Sequence, residues 1–246
     1  MTRAQVKTTT RALAALFAAA GLSGAAEAKQ PRAVIELFTS QGCSSCPPAD
    51  ALLAKLATDE DLIALSLPVD YWDQLGWKDT LAKHAFTERQ VAYSNVRGDG
   101  EVYTPQAVVN GREHAVGSQR AAIDAAVADT AAGLSVPLSL QREAGGVRVS
   151  VGAAPGSAPE QATLVLLPYL SARDVAIGRG ENARHTITYT NVVRDIIPVG
   201  EWQGRPIART IPLDETKNYD GVVVLLQAGS PGNPGAILGA GRLLLR

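Results

Sequence analysis

The sequence predicts an α/β half followed by an all-β half, and three observations carry that prediction. Between Ala33 and Gly133, short apolar runs alternate with helix-spaced segments in the order β-α-β-α-β-β-α. A Cys43-Ser44-Ser45-Cys46 pair sits where the first strand gives way to the first helix. Past Gly133 the chain turns into strand-like runs parted by Gly, Pro and Asn, as in a β-sandwich.

The first residues read as an export address. Arg3, Lys7 and Arg11 precede an apolar stretch from Leu13 to Ala20, and Ala26-Glu27-Ala28 supplies small residues for cleavage after Ala28. The run is too short to span a bilayer, and Ala25 stands where a lipidation box would need cysteine. The expectation is a signal peptide over 1–28, a secreted or periplasmic chain and no membrane anchor. Cleavage removes three of 23 basic and one of 24 acidic residues, leaving a net charge of −3. With no basic stripe, nucleic acid is excluded as a partner.

Ala33 to Phe38 is apolar and β-branched, hence a buried strand. Pro47 and Pro48 suit a first helical turn. Ala49, Leu52, Leu53 and Leu56 follow at helical spacing, with Asp50 and Lys55 on the opposite face. Leu62 to Val69 is a second buried strand, and a helix is expected over about Lys78 to Tyr93. Gln106 to Val109 is a third strand, and Asn110-Gly111 marks the hairpin to Arg112–Val116. Ser118 is placed to cap an alanine-rich helix ending at Gly133. The domain boundary therefore falls between 29–133 and 134–246. In the second part, strands are expected at 134–141, 147–151, 163–167, 175–177, 186–193, 207–211, 222–226 and 238–245.

Chemistry concentrates at the cysteines. They are the only two in the chain, so they build no disulfide framework, and a bridge across two residues closes almost no loop. At a helix start, unpaired N–H groups and the helix dipole favour a thiolate at Cys43. Cys46, three residues on, is placed to resolve a mixed disulfide. No organic cofactor is called for. A zinc site would need two more ligands, and His84, His114 and His185 have no ligand spacing, so no metal is expected.

Together with this topology, Thr104-Pro105 before the third strand resembles the thioredoxin superfamily over roughly Ala33 to Gly133, in its minimal glutaredoxin-like version. The resemblance implies a cis Pro105 against the sulfurs, with Thr104 and Gly42 positioning substrate. It also makes Glu36 a candidate proton acceptor, one residue further from the first cysteine than the usual acid. The inner Ser44-Ser45 and the preceding Gln41-Gly42 depart from the superfamily pattern and leave the direction of electron flow open. More closely, the chain is similar to an uncharacterised family of secreted bacterial proteins classified as a domain of unknown function. Val34 to Asp50, Asp70-Tyr71-Trp72-Asp73, Gly76-Trp77, Thr104-Pro105-Gln106, Gly180-Glu181-Asn182 and Thr190-Asn191-Val192-Val193 carry that similarity.

Tyr71, Trp72, Asp73 and Trp77 either line a substrate groove or cover the sheet edge. Arg89 and Gln90 are candidates to pair with Asp73. Glu181, Asn182 and Asn191 read as loop and strand-end hydrogen bonders, with a domain-interface role as the alternative. The leading function is an exported thiol-disulfide oxidoreductase, with Cys43 attacking, Cys46 resolving and Pro105 positioning. Its partners are exported protein thiols or disulfides, or a redox partner protein. The alternative is a non-catalytic binding protein whose disulfide only fixes a loop, and a Cu(I) chaperone is the third reading.

Overall fold

Ala33–Thr39 forms β1, buried along its whole length, because it is paired on both sides and covered on both faces. The structure is a computed structural model that describes residues 30–246 apart from 157, 158, 160, 215 and 216. The signal peptide expected over 1–28 lies outside the described residues. After β1 come α1 (Pro47–Leu56), β2 (Leu62–Pro68), α2 (His84–Arg97), β3 (Gln106–Val109), β4 (Glu113–Val116) and α3 (Arg120–Thr130). This is the expected thioredoxin-like order. Parallel β2 and antiparallel β3 flank β1, and β4 pairs with β3. Asn110 and Gly111 both have positive φ, 52° and 67°, as the tight hairpin type demands.

The second half consists of β5 (Leu138–Glu143), β6 (Gly146–Val151), β7 (Ala162–Ala176), β8 (Thr186–Val193), β9 (Ile197–Trp202), β10 (Ile207–Pro212), β11 (Gly221–Ser230) and β12 (Asn233–Leu244). Among the described residues, eight strands run in the order β12-β11-β7-β8-β2-β1-β3-β4 and β9 joins β7, making one nine-stranded sheet. The halves meet where β8 touches β2 at a single residue pair, Ser66 with Val192. Asn191, at φ 47°, reinforces that seam by donating from Nδ2 to the Ala64 carbonyl at 2.9 Å. A second sheet, β10-β6-β5, packs its valines against Leu164, Leu166, Trp202 and Val224, giving the sandwich-like layer.

The two faces of β1 bury into different cores. Ile35 and Leu37 meet Leu53 and Leu56 of α1 and Ile123 and Val127 of α3. Val34 and Phe38 meet Phe86 and Tyr93 of α2, together with Val223 and Leu225 of β11. The inner face of α2 is thus packed against strands of both halves, while Glu88, Val91 and Asn95 stay exposed on its outer face.

Several elements differ from the sequence expectation for identifiable reasons. Helix α2 starts at His84, not near Lys78, because Asp79 Oδ1 accepts the Leu81 and Ala82 amides and holds a separate turn there. Helix α3 begins after Gln119 with no side-chain cap, so Ser118 does not cap it. The strands expected at 163–167 and 175–177 are one fifteen-residue strand, β7. Strand β9 was hidden by Pro198 and Gly200, which fall where its pairing with β7 shifts register.

Candidate functional site

The site begins where β1 runs out. Ser40, Gln41 and Gly42 turn the chain, with Cys43 N–H donating to the Ser40 carbonyl at 3.2 Å and Gly42 N–H to Ser40 Oγ at 3.1 Å. Cys46 takes the N-cap position of α1, ahead of Pro47. Cys43 and Cys46 are joined in a disulfide, with Cα atoms 5.4 Å apart.

The turn is held from three directions. Asp79 Oδ2 accepts the Gln41 amide at 2.8 Å. The Gln41 side chain accepts from Trp77 Nε1 at 2.9 Å. Trp72 packs over Gly42, where an added Cβ would lie 3.1 Å from that of Trp72. Trp72 Nε1 also donates to Thr104 Oγ1 at 2.8 Å, so one indole ties the cysteine turn to the proline loop. The Thr104-Pro105 bond is cis. A Cβ on Gly117 would fall 3.2 Å from both Pro105 and Ala49, which sets the proline loop against the first turn of α1. Asp73 Oδ1 accepts the Asp79 amide at 2.9 Å, and Tyr71 OH donates to Gln90 Oε1 at 3.3 Å. The aromatic loop therefore braces the site.

From the second half comes a cover. Asn182 Nδ2 donates to the carbonyls of Gln41 and Cys43 at 3.0 and 2.8 Å. The Ser44 amide donates to Glu181 Oε2 at 3.3 Å. Gly178 and Gly180 lie against the Trp77 ring and its Cβ. Beneath this loop Cys43 is only 1 % exposed and Cys46 is fully buried. A thiol that attacks a partner disulfide must be reachable, whereas here Cys43 is buried and the loop from 178 to 182 packs onto its turn.

Glu36 stands apart from the cysteines. It points to the opposite face of the sheet, where Arg89 Nε and Nη2 grip its carboxylate at 2.7 and 3.1 Å and Tyr93 OH donates to it at 2.5 Å. Gln227 of β11 closes the cluster by accepting from Arg89 at 3.0 Å and donating to Tyr93 at 2.8 Å. Glu36 is thus a buried ion-pair partner, and Arg89 pairs with it and not with Asp73.

The acid that does lie beneath the cysteine helix is Asp50. Helical spacing assigns it to an outer face of α1, yet it is 2 % exposed because β8 packs there. Neither of its oxygens has a hydrogen-bond partner. Burial pushes the carboxyl up to about 8; Thr39 nearby opposes the shift, short of hydrogen-bond geometry, and Asp79 adds to it. Only the tertiary contact with β8 makes this acid visible. Asp79, also buried, is raised by desolvation against three backbone amide donors. Among the described residues no group of three or more His, Cys, Asp or Glu is arranged to hold a metal.

A CxxC disulfide at the start of the first helix of a β-α-β-α-β-β-α unit defines a thioredoxin-fold protein with a redox-type site. The chain belongs to the family described as protein of unknown function, DUF1223, whose model matches residues 34–227. It is similar over 89 % of its length to a crystal structure from Agrobacterium tumefaciens, at 38 % identity and a TM-score of 0.78, covering 96 % of that chain. HBP35 of Porphyromonas gingivalis shares the fold alone, at 16 % identity and a TM-score of 0.52 over 88 % of this chain and 76 % of that one. No curated protein sequence matches it.

Proposed function

We propose that this protein is an exported thiol-disulfide oxidoreductase whose site works only when the 178–182 loop moves aside. The observation that carries this reading is the Cys43–Cys46 disulfide at the N-cap of α1, with the cis Thr104-Pro105 loop set against the same helix turn. In the reduced state the helix N-terminus would favour a thiolate on Cys43. Cys43 then attacks a partner disulfide, and Cys46 attacks the mixed disulfide to release the partner. Thr104 and Pro105 position the partner chain, and the second half supplies the cover. Export follows from the N-terminal sequence pattern, and the partners are exported proteins bearing thiols or disulfides.

The burial of Cys43 under Asn182 favours a second reading, in which the disulfide is inert and the molecule is a binding protein. Trapping separates the two. Expression of Cys46→Ser in the exporting compartment is expected to leave Cys43 in mixed disulfides that dithiothreitol releases. Recovery of none, with the wild-type pair permanently oxidised, would select the binding reading.

A further inference from the structure

We propose that Asp50 exchanges the proton of Cys46 when the Cys43–Cys46 bond breaks and forms, with the groove between α1 and β8 as its path to solvent. The inference rests on the exchange reading above and names a residue for it. Three features of the geometry point to Asp50.

First, Asp50 lies one turn beyond Cys46, with its amide donating to the Cys46 carbonyl at 3.1 Å. This spacing puts the two side chains on one face of the helix. Second, its carboxyl sits within a buried cluster of groups that lack protein partners. Thr39 Oγ1 at the end of β1 and Tyr189 OH of β8, both interacting with Asp50, are buried and unpartnered, as are both Asp50 oxygens. A buried carboxyl left without donors is costly as an anion, so the fold holds an acid there that is neutral until something draws on its proton. Third, Asp50 is among the residues that border a groove of about 930 Å³, with Pro47, Ala51 and Ala54 on one side and Asn182, Ile187 and Thr188 on the other.

The charged and titratable groups around it come from every neighbouring element. Asp79 approaches from the loop before α2 and Tyr189 from β8, both interacting electrostatically with Asp50. Lys55 of α1 and His185, just before β8, line the same groove. Asp79 already accepts three backbone amides, which leaves Asp50 as the acid free to change its proton.

A thiolate of a partner dithiol attacks Cys43 Sγ, the bond to Cys46 breaks, and its electron pair leaves on Cys46 Sγ. Asp50 gives its proton to that sulfur and becomes a carboxylate, which is reprotonated through the groove. The second partner thiolate then displaces Cys43, so the partner dithiol is oxidised to a disulfide and the Cys43–Cys46 pair is reduced. In reverse, the carboxylate takes the Cys46 proton, and the resulting thiolate resolves the mixed disulfide on Cys43.

The test uses the reduced full chain mixed with oxidised glutathione and acid-quenched over time. Growth of the glutathione adduct reports Cys43, and its decay reports Cys46. Asp50→Asn is expected to leave adduct growth unchanged and to slow its decay about 10-fold or more at neutral pH, the deficit shrinking as pH rises. Equal decay and an equal pH profile in both proteins would overturn the proposal while leaving the exchange reading intact. Absence of any adduct would reject both. A second readout needs no exchange. By carbon-13 NMR the Asp50 carboxyl is expected to titrate at about 8 in the oxidised chain and to move when the pair is reduced. The same midpoint in both redox states would also overturn the proposal.

Discussion

Two buried acids, Glu36 and Asp50, lie on opposite faces of the first-half sheet and have opposite fates. Glu36 forms an ion pair with Arg89, whose Nε lies 2.7 Å away, and it accepts further bonds from Arg89 Nη2 and Tyr93 OH. Removing one partner of such a pair leaves an uncompensated buried charge, so Glu36→Ala is expected to cost about 3–5 kcal/mol in a denaturant titration without changing the disulfide. Asp50 has no such partner and is neutral when folded. In the unfolded chain it ionises at the ordinary aspartate value of 3.8, and in the folded chain at about 8. The folded state therefore binds the extra proton between those limits, and stability falls as pH rises through them, by up to about 1.4 kcal/mol per pH unit. Asp50→Asn removes that slope, so its stability relative to wild type is expected to improve from about pH 4 to about pH 8. Parallel pH profiles for the two proteins would contradict this. Which acid does what was not legible in the sequence. Strand parity separates Glu36 from the cysteine helix, but its partner Arg89 arrives from α2, while Asp50 is buried only because β8 covers α1.

The element that decides access to the site is the loop from 178 to 182. Its Asn182 replaces water on two carbonyls of the cysteine turn, and its Glu181 carboxylate accepts the Ser44 amide at the helix start. A carboxylate at that position opposes a neighbouring thiolate. In the reduced chain, Glu181→Gln is expected to lower the midpoint of Cys43 alkylation, and Asn182→Ala to raise its rate at every pH. No change in either would mean that the loop does not govern the thiol. The local elements were mostly legible, since Pro47-Pro48, Asn110-Gly111 and the alternating apolar runs act over a few residues. Strand β9 was not, because Pro198 and Gly200 break the pattern that marks a strand. The cover over Cys43 was hidden for another reason: Asn182 lies 139 residues from its carbonyl partner in sequence.

At the scale of the molecule, two halves distinct in sequence texture share one sheet and one core. The seam between β2 and β8 is a single residue pair, too little to hold them together. The shared core does more. Val34, Phe38, Phe86 and Tyr93 of the first half pack with Val223, Leu225 and Ile237 of the second. Each large side chain buried there contributes about 1.5–3 kcal/mol. The Glu36–Arg89–Tyr93 cluster also closes through Gln227. A fragment ending at Gly133 is therefore expected to lack a cooperative unfolding transition, whereas the full chain unfolds in one step. A stable, cooperatively folding fragment would show that the halves are independent. The texture change at Gly133 marks where topology changes, and no local signal reports that the inner face of α2 is buried by both parts.

On the proposed reading, the covered disulfide is nonetheless a working redox couple. The most direct measurement is to treat the folded wild-type chain with dithiothreitol and then with oxidised glutathione, following thiols by mass-tagged alkylation and the fold by circular dichroism. Cys43 and Cys46 are expected to be reduced and reoxidised reversibly while the chain stays folded, and faster in Asn182→Ala. Reduction that occurs only once the chain unfolds would contradict it.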